Sequence, residues 1–234
     1  MTRLPNRSMR CVVPALFLWL TAGCGGAAAQ GNEDAAAQQA PLDAETWSAE
    51  LEVRSGASHP LVPVGYGTLS QDAITVPLRE GGLQIKVVPL SEWVIRLTAP
   101  DTYRRLNGYK VSRAEDILDL SRRAGERGWP LVAFVTFFSR SVEESYEPYD
   151  LQINNQSRLY RPFDIIAVTP DFGRARLDQQ ESQVALYLFS PDIDLDLPTT
   201  VRYGNAESDR WNGIRRSLDS ERSRANSRAG AGPP

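Results

Sequence analysis

Leu131–Phe138 reads LVAFVTFF, the most continuously apolar run downstream of the leader, dense in β-branched and aromatic residues. Trp129-Pro130 precedes it and Ser139-Arg140-Ser141 follows it. A run of this length and type, bounded by such residues, predicts a strand covered on both faces. The chain before it must therefore supply cover for one face, and the chain after it the partner strands.

Upstream, the segments suited to that cover have helical spacing. Leu90, Trp93, Val94 and Leu97 fall on one helical face, with Ser91 placed to cap a short helix. Pro100 can open a second helix through about Tyr109. Ser112-Arg113-Ala114-Glu115 has the capping-box spacing, serine three before glutamate, and Gly125 or Gly128 can end the helix that follows. Further upstream the period becomes two. Ile74, Val76 and Leu78 alternate, Arg79-Glu80-Gly81-Gly82 turns, and Leu83, Ile85 and Val87 alternate back, which predicts a β-hairpin. Leu61–Gly67 reads as extended, with Pro63 confining it to an edge or an irregular segment. Trp47, Ala49, Leu51 and Val53 alternate with polar residues as a half-buried strand.

Downstream, Leu151-Gln152-Ile153 reads as a short strand closed by an Asn154-Asn155 turn. Phe163–Val168, Val184–Phe189 and Thr200–Tyr203 have strand length and composition. The expected fold is α+β and mainly antiparallel β. An N-terminal sheet and helices (residues 45–128) precede an Ig-like β-sandwich (129–206), then a short helix at Trp211, Ile214 and Leu218 and a disordered tail from Ser223 (207–234). The strand pattern of the C-terminal half is similar to Ig-like modules of exported bacterial proteins.

The amino terminus predicts the address. Arg3, Arg7 and Arg10 form a basic start without acidic residues, and CVVPALFLWL (Cys11–Leu20) is too short and interrupted to span a bilayer. Leu20-Thr21-Ala22-Gly23-Cys24 follows. With these residues the chain resembles a bacterial lipoprotein precursor, Thr21 standing where that motif usually has leucine. The resemblance implies a signal peptide over residues 1–23 and lipidation of Cys24, with residues 24–44 as a low-complexity tether. Two acyl chains suffice for stable anchoring, so the expected partner is a membrane, on the outer-membrane or periplasmic side of the cell envelope. The alternative is soluble export after cleavage at the A-x-A site Ala27-Ala28-Ala29. Cys11 is lost with such a leader, so no disulfide can form within the mature chain. Three of the 26 basic residues go with it, leaving 23 against 29 acidic ones and a net charge of −6, which argues against nucleic acid as a partner.

No catalytic constellation emerges from this composition. His59 is the single histidine and has no nucleophile elbow to serve. Glu143, Glu144 and Glu147, or Asp171 with Asp178, supply carboxylates of the kind a glycoside hydrolase pairs, at separations that only a structure gives. Asp192, Asp194 and Asp196 alternate with Ile193, Leu195 and Leu197, so a strand would place three hard-oxygen ligands on one side. The EF-hand pattern for calcium fails there, with Leu197 at the glycine position and Tyr203 at that of the bidentate glutamate. Tyr146, Tyr149, Tyr160 and Phe172, with Arg158, Arg161 and Arg174, combine the residue types that anchor interaction surfaces and form the candidate binding face, the other reading being that the aromatics are core and the arginines solvated. The expectation is a non-catalytic binding or assembly module with an envelope protein partner and no cofactor. The alternatives are a carboxylate-based envelope hydrolase and a structural subunit of an envelope complex.

Overall fold

The computed structural model describes residues 60–231, which belong to one unit of the chain. The leader, Cys24, the tether, the expected strand at Trp47–Val53 and His59 lie outside the described residues. The described chain is α+β with antiparallel ladders throughout its sheets.

Strand β3 (Leu131–Ser139) holds the centre. It pairs with β2 (Leu83–Pro89) on one side and β9 (Ser182–Phe189) on the other. Strand β1 (Val76–Glu80) and strand β7 (Asp164–Ala167) complete the five-stranded order β1-β2-β3-β9-β7. The predicted hairpin is therefore β1–β2, with Glu80 opposite Leu83 and the turn at Gly81-Gly82. It adds directly to β3, so the hairpin and the C-terminal strands share one sheet across the expected boundary at residue 129. A four-stranded sheet, in the order β11 (Ala206–Ser208), β10 (Thr199–Tyr203), β5 (Gln152–Asn155), β6 (Arg158–Tyr160), packs against it. A third ladder joins β4 (Glu143–Ser145) to β8 (Arg176–Asp178).

Because side chains alternate along a strand, the registers define two faces of the larger sheet. Ile85, Val87, Ala133, Val135, Phe137, Ala185 and Tyr187 share the inner face, toward the four-stranded sheet. There Phe137 stacks on Tyr146 with centroids 4.4 Å apart and meets Tyr203 edge-on at 5.6 Å. Val88, Val132, Phe134, Leu186 and Leu188 share the opposite face and are buried under helices. These helices are α1 (Glu92–Ile95), α2 (Pro100–Val111) and α3 (Ala114–Arg123). Tyr109 of α2 lies on Phe134 at 4.9 Å.

Several local expectations change for identifiable reasons. Ser112 does not cap α3: α2 runs on to Val111, and the Ser112 hydroxyl donates back to Tyr109 O. Ser91 precedes α1 without a side-chain cap bond; its carbonyl accepts from Val94 and Ile95 instead. Gly125 does end α3, at φ +76°, as Glu126 N donates to Ser121 O. Leu61–Gly67 joins no strand ladder. Asn154 and Asn155 remain in β5, and the hairpin turns at Gln156 and Ser157, both with positive φ. Asn155 is kept in the strand by its side chain, which donates to Asp194 O and Thr199 Oγ1 at 2.8 Å each.

The carboxyl terminus departs most from expectation. Helix α4 spans Trp211–Gly230, through most of the segment expected to be disordered. Glu221, 2% exposed, accepts both the backbone and hydroxyl donors of Thr68 and an ion pair from Arg228. Arg228 also donates two bonds to Tyr66 O, at 2.6 and 3.0 Å. A helix poor in apolar residues thus persists because Trp211, Ile214, Leu218 and Ala225 are buried and because Glu221 and Arg228 fasten it to the start of the described chain.

That anchoring segment lies close against the α1–α2 connection. Leu69 exchanges backbone bonds with Leu97 and Ala99, and a Cβ on Gly67 would lie 2.3 Å from the Leu97 carbonyl carbon. Gly67→Ala should therefore cost about 3 kcal/mol through backbone overlap. The check is a lowered urea midpoint with an unchanged denaturant slope; an unaltered midpoint would show that the connection has room to yield.

Candidate functional site

Among the described residues, the helices cover only part of the outer sheet face. Toward the Gly81-Gly82 turn the burial of β3 breaks, and Thr136 and Phe138 are half-exposed where the sequence predicts cover on both faces. Two rows of side chains lie across this open end. Arg79, Gln84, Phe138 and Ser182 are successive partners across β1, β2, β3 and β9. Pro77, Lys86, Thr136 and Val184 form the next row. With neighbouring strands roughly 4.8 Å apart, each row spans about 14 Å, and the rows lie roughly 7 Å apart along the strands.

Gln84, Lys86, Thr136, Phe138 and Ser182 line a shallow recess of about 290 Å³. Lys86 also meets Asp72 of a single 3-10 turn, Gln71–Ile74, at 3.5 Å. Arg140 follows one residue past β3 and is exposed; its N–H donates to Gly82 O, carrying the β2–β3 ladder one step further. The Glu144 carboxylate is nearby at the turn and accepts from Gly82 N at 3.3 Å. Lys86 is the cation in the recess, with Asp72 beside it; Arg79 follows Gln84 at the end of one row, and Arg140 and Glu144 are near the turn. Chemically, the site offers an amide, an ammonium, two hydroxyls and an aromatic surface, with no paired acid and base.

The residues expected to form a binding face are dispersed. Tyr146 and Phe172 are core residues, stacked around Phe137 and 5% and 4% exposed. Tyr160 is buried under Arg158, whose guanidinium lies 4.8 Å above its ring and pairs with Asp192. Arg174 is shared between Asp171 and Glu181. Tyr149 and Arg161 are exposed. Aromatic and arginine clustering along the chain was a signal of the core and its ion pairs. The open face was missed because its residues come from four strands far apart in sequence.

The carboxylates are also placed. Glu143 pairs with Arg176 across the β4–β8 ladder, and Glu144 binds the turn. Asp192–Asp196 is an irregular loop, not a strand, in which Ile193 and Leu195 are buried. Asp194 accepts from Asp196 N at 2.8 Å, and Asp192 binds Arg158. No group of three potential metal-ligating residues occurs among the described residues. Burial pushes Tyr203 up to about 12, against a bond donated to it by Glu147 N that lowers it, and burial also raises Tyr146 and Tyr187. These inner-face phenols are neutral packing groups at physiological pH.

One titratable cluster is fully enclosed. Glu92 on α1, 1% exposed, accepts Lys110 Nζ at 2.6 Å, Arg96 Nε at 2.7 Å and the Tyr103 hydroxyl at 2.9 Å. Tyr103, Leu106 and Lys110 share one face of α2 and are all buried. That spacing was the available signal that Lys110 points inward. Comparison with protein-family models, with curated proteins and with solved structures found no match.

The enclosed cluster makes stability depend on acid. Burial raises the Glu92 carboxyl, but Lys110 and Arg96 outweigh it and hold the group below its usual value of 4.5. Its contribution is therefore present above 4.5 and is lost as pH falls through the lower folded value. Glu92→Gln should cost about 3–5 kcal/mol at neutral pH by removing the buried carboxylate charge that Lys110, Arg96 and Tyr103 share. Urea midpoints across the acid range check this. The variant should lose part of the acid dependence; an unchanged acid limb would show that Glu92 does not titrate with unfolding.

Proposed function

We propose that this chain is an exported, lipid-anchored protein of the bacterial cell envelope, acting there as a non-catalytic binding module. The observation carrying the binding part is the incompletely covered sheet. An antiparallel sheet can leave one face to water, and here that face is not plain polar surface: two ordered rows across four strands place Gln84, Lys86, Thr136 and Ser182 around Phe138 at a recess. Support for recognition over bond cleavage comes from the carboxylates, since Glu143, Asp171 and Asp192 each bind an arginine. The envelope address rests on the basic start, the short apolar run and Leu20–Cys24.

On this reading Cys24 carries the acyl chains and the following low-complexity residues hold the globule at the membrane surface. Expression of the full chain in a bacterial host, with fractionation and mass spectrometry of its amino-terminal peptide, tests the address. A mature terminus at acylated Cys24, recovery with membranes and release to the soluble fraction in Cys24→Ser are the expected results. An unacylated terminus at Gln30 would overturn the anchored reading.

A further inference from the structure

We propose that the open end of the five-stranded sheet binds an anionic glycan, laid across β1, β2, β3 and β9 over the recess at Phe138. This rests on the reading of the chain as a binding module and names its ligand class. The position of the surface within the sheet favours a glycan over a peptide. A peptide that adds to a sheet uses a free edge, where unpaired backbone groups are available. Strands β2, β3 and β9 are flanked on both sides, so recognition at this surface must come from side chains.

The side chains present have the chemistry of sugar recognition. Phe138 is half-exposed at the centre of its row, with Gln84 as its partner on one side and Ser182 on the other. An apolar ring face can receive the C–H face of a pyranose, while the flanking amide and hydroxyl bond its equatorial hydroxyls. Thr136 and Lys86 repeat the polar element in the next row. Neighbouring positions in a row follow the strand spacing of roughly 4.8 Å, close to the length of one sugar ring, so successive rings can meet successive strands.

Charge adds the second condition. Lys86 lines the recess, and the exposed Arg79 and Arg140 lie along the same rows and strands, in a protein whose net charge is −3 overall. Lys86 has Asp72 beside it at 3.5 Å, an exposed pair that competes weakly with an incoming anion. Arg79 is the outermost member of the Phe138 row, and Arg140 follows Phe138 by two residues. Carboxylates or phosphates spaced along a glycan can engage these cations while its rings lie over Phe138. The length of the rows, about 14 Å across four strands, is the reason for assigning a polymer rather than a free small anion.

The test uses the full-length chain in detergent micelles, titrated calorimetrically with short oligogalacturonate and with the same oligomer fully methyl-esterified. The acidic oligomer should bind, and its neutral ester should bind roughly tenfold or more weakly. Lys86→Gln with Arg79→Gln should lose roughly tenfold for the acidic oligomer and leave the ester unchanged, while Phe138→Leu should weaken both. Far-ultraviolet circular dichroism and urea midpoints establish that each variant is folded. No binding of either oligomer, equal binding of poly-glutamate, or binding unaltered by these substitutions would overturn the proposal. Acylation at Cys24 is measured independently, so the glycan and the envelope address fail separately.

Discussion

Every backbone donor and acceptor of a strand inside a sheet can be paired, but the strand's two faces still have to be dealt with separately. This constraint falls hardest on β3, which has partners on both sides along its length. Its inner face meets Tyr146, Phe172 and Tyr203, an aromatic cluster too large and closely packed to admit water without losing many contacts. Its outer face is buried toward the helices and only half-buried beyond them. The alternation changes accordingly, from Val132 and Phe134 beneath the helices to Thr136 and Phe138 at the opening.

The helical layer has its own requirement. Helix α1 is a single turn and cannot persist by propensity. Its Glu92 binds Arg96 within the turn and Tyr103 and Lys110 on α2, joining the two helices through one carboxylate. Glu221 does the same at the other end of the chain, tying α4 to Thr68 while pairing with Arg228 within the helix. Buried carboxylates therefore act here as connectors, each with enough donors to offset its loss of water. This separates them from the carboxylates of an acid–base pair, whose neighbours must leave one group free to exchange a proton.

Much of the sheet was legible because its signals are local. The two-residue period of Val76–Val87 and the Gly81-Gly82 turn specify a hairpin, and LVAFVTFF specifies a buried strand, without reference to anything distant. What was illegible depended on partners far along the chain. Asn154-Asn155 has turn chemistry, yet Asn155 is held in β5 by residues around 40 positions later, Asp194 at |i−j| = 39 and Thr199 at 44. Ser223–Gly230 has the composition of a disordered tail, yet Arg228 finds Tyr66, 162 positions away. The same limit applied to the binding face. Tyr146 and Phe172 carried the right chemistry for a surface, and only the packing around Phe137 shows them to be core.

The open face exposes the difference between composition and arrangement most sharply. Arg79, Gln84, Phe138 and Ser182 are unremarkable singly and span over a hundred positions, so no window of sequence contains them all. The registers alone place them in one row. Their exposure also has a structural consequence: an extra helical layer long enough to bury Phe138 would desolvate Lys86 and the amide of Gln84, leaving both to find new partners. The mixed polar and aromatic rows are thus compatible with water or with a ligand rich in hydroxyls and charge, and are ill suited to another apolar layer. That selectivity follows from the side-chain chemistry of the rows themselves, and it is the reason the short helical cover and the composition of the strands beyond it belong to one design.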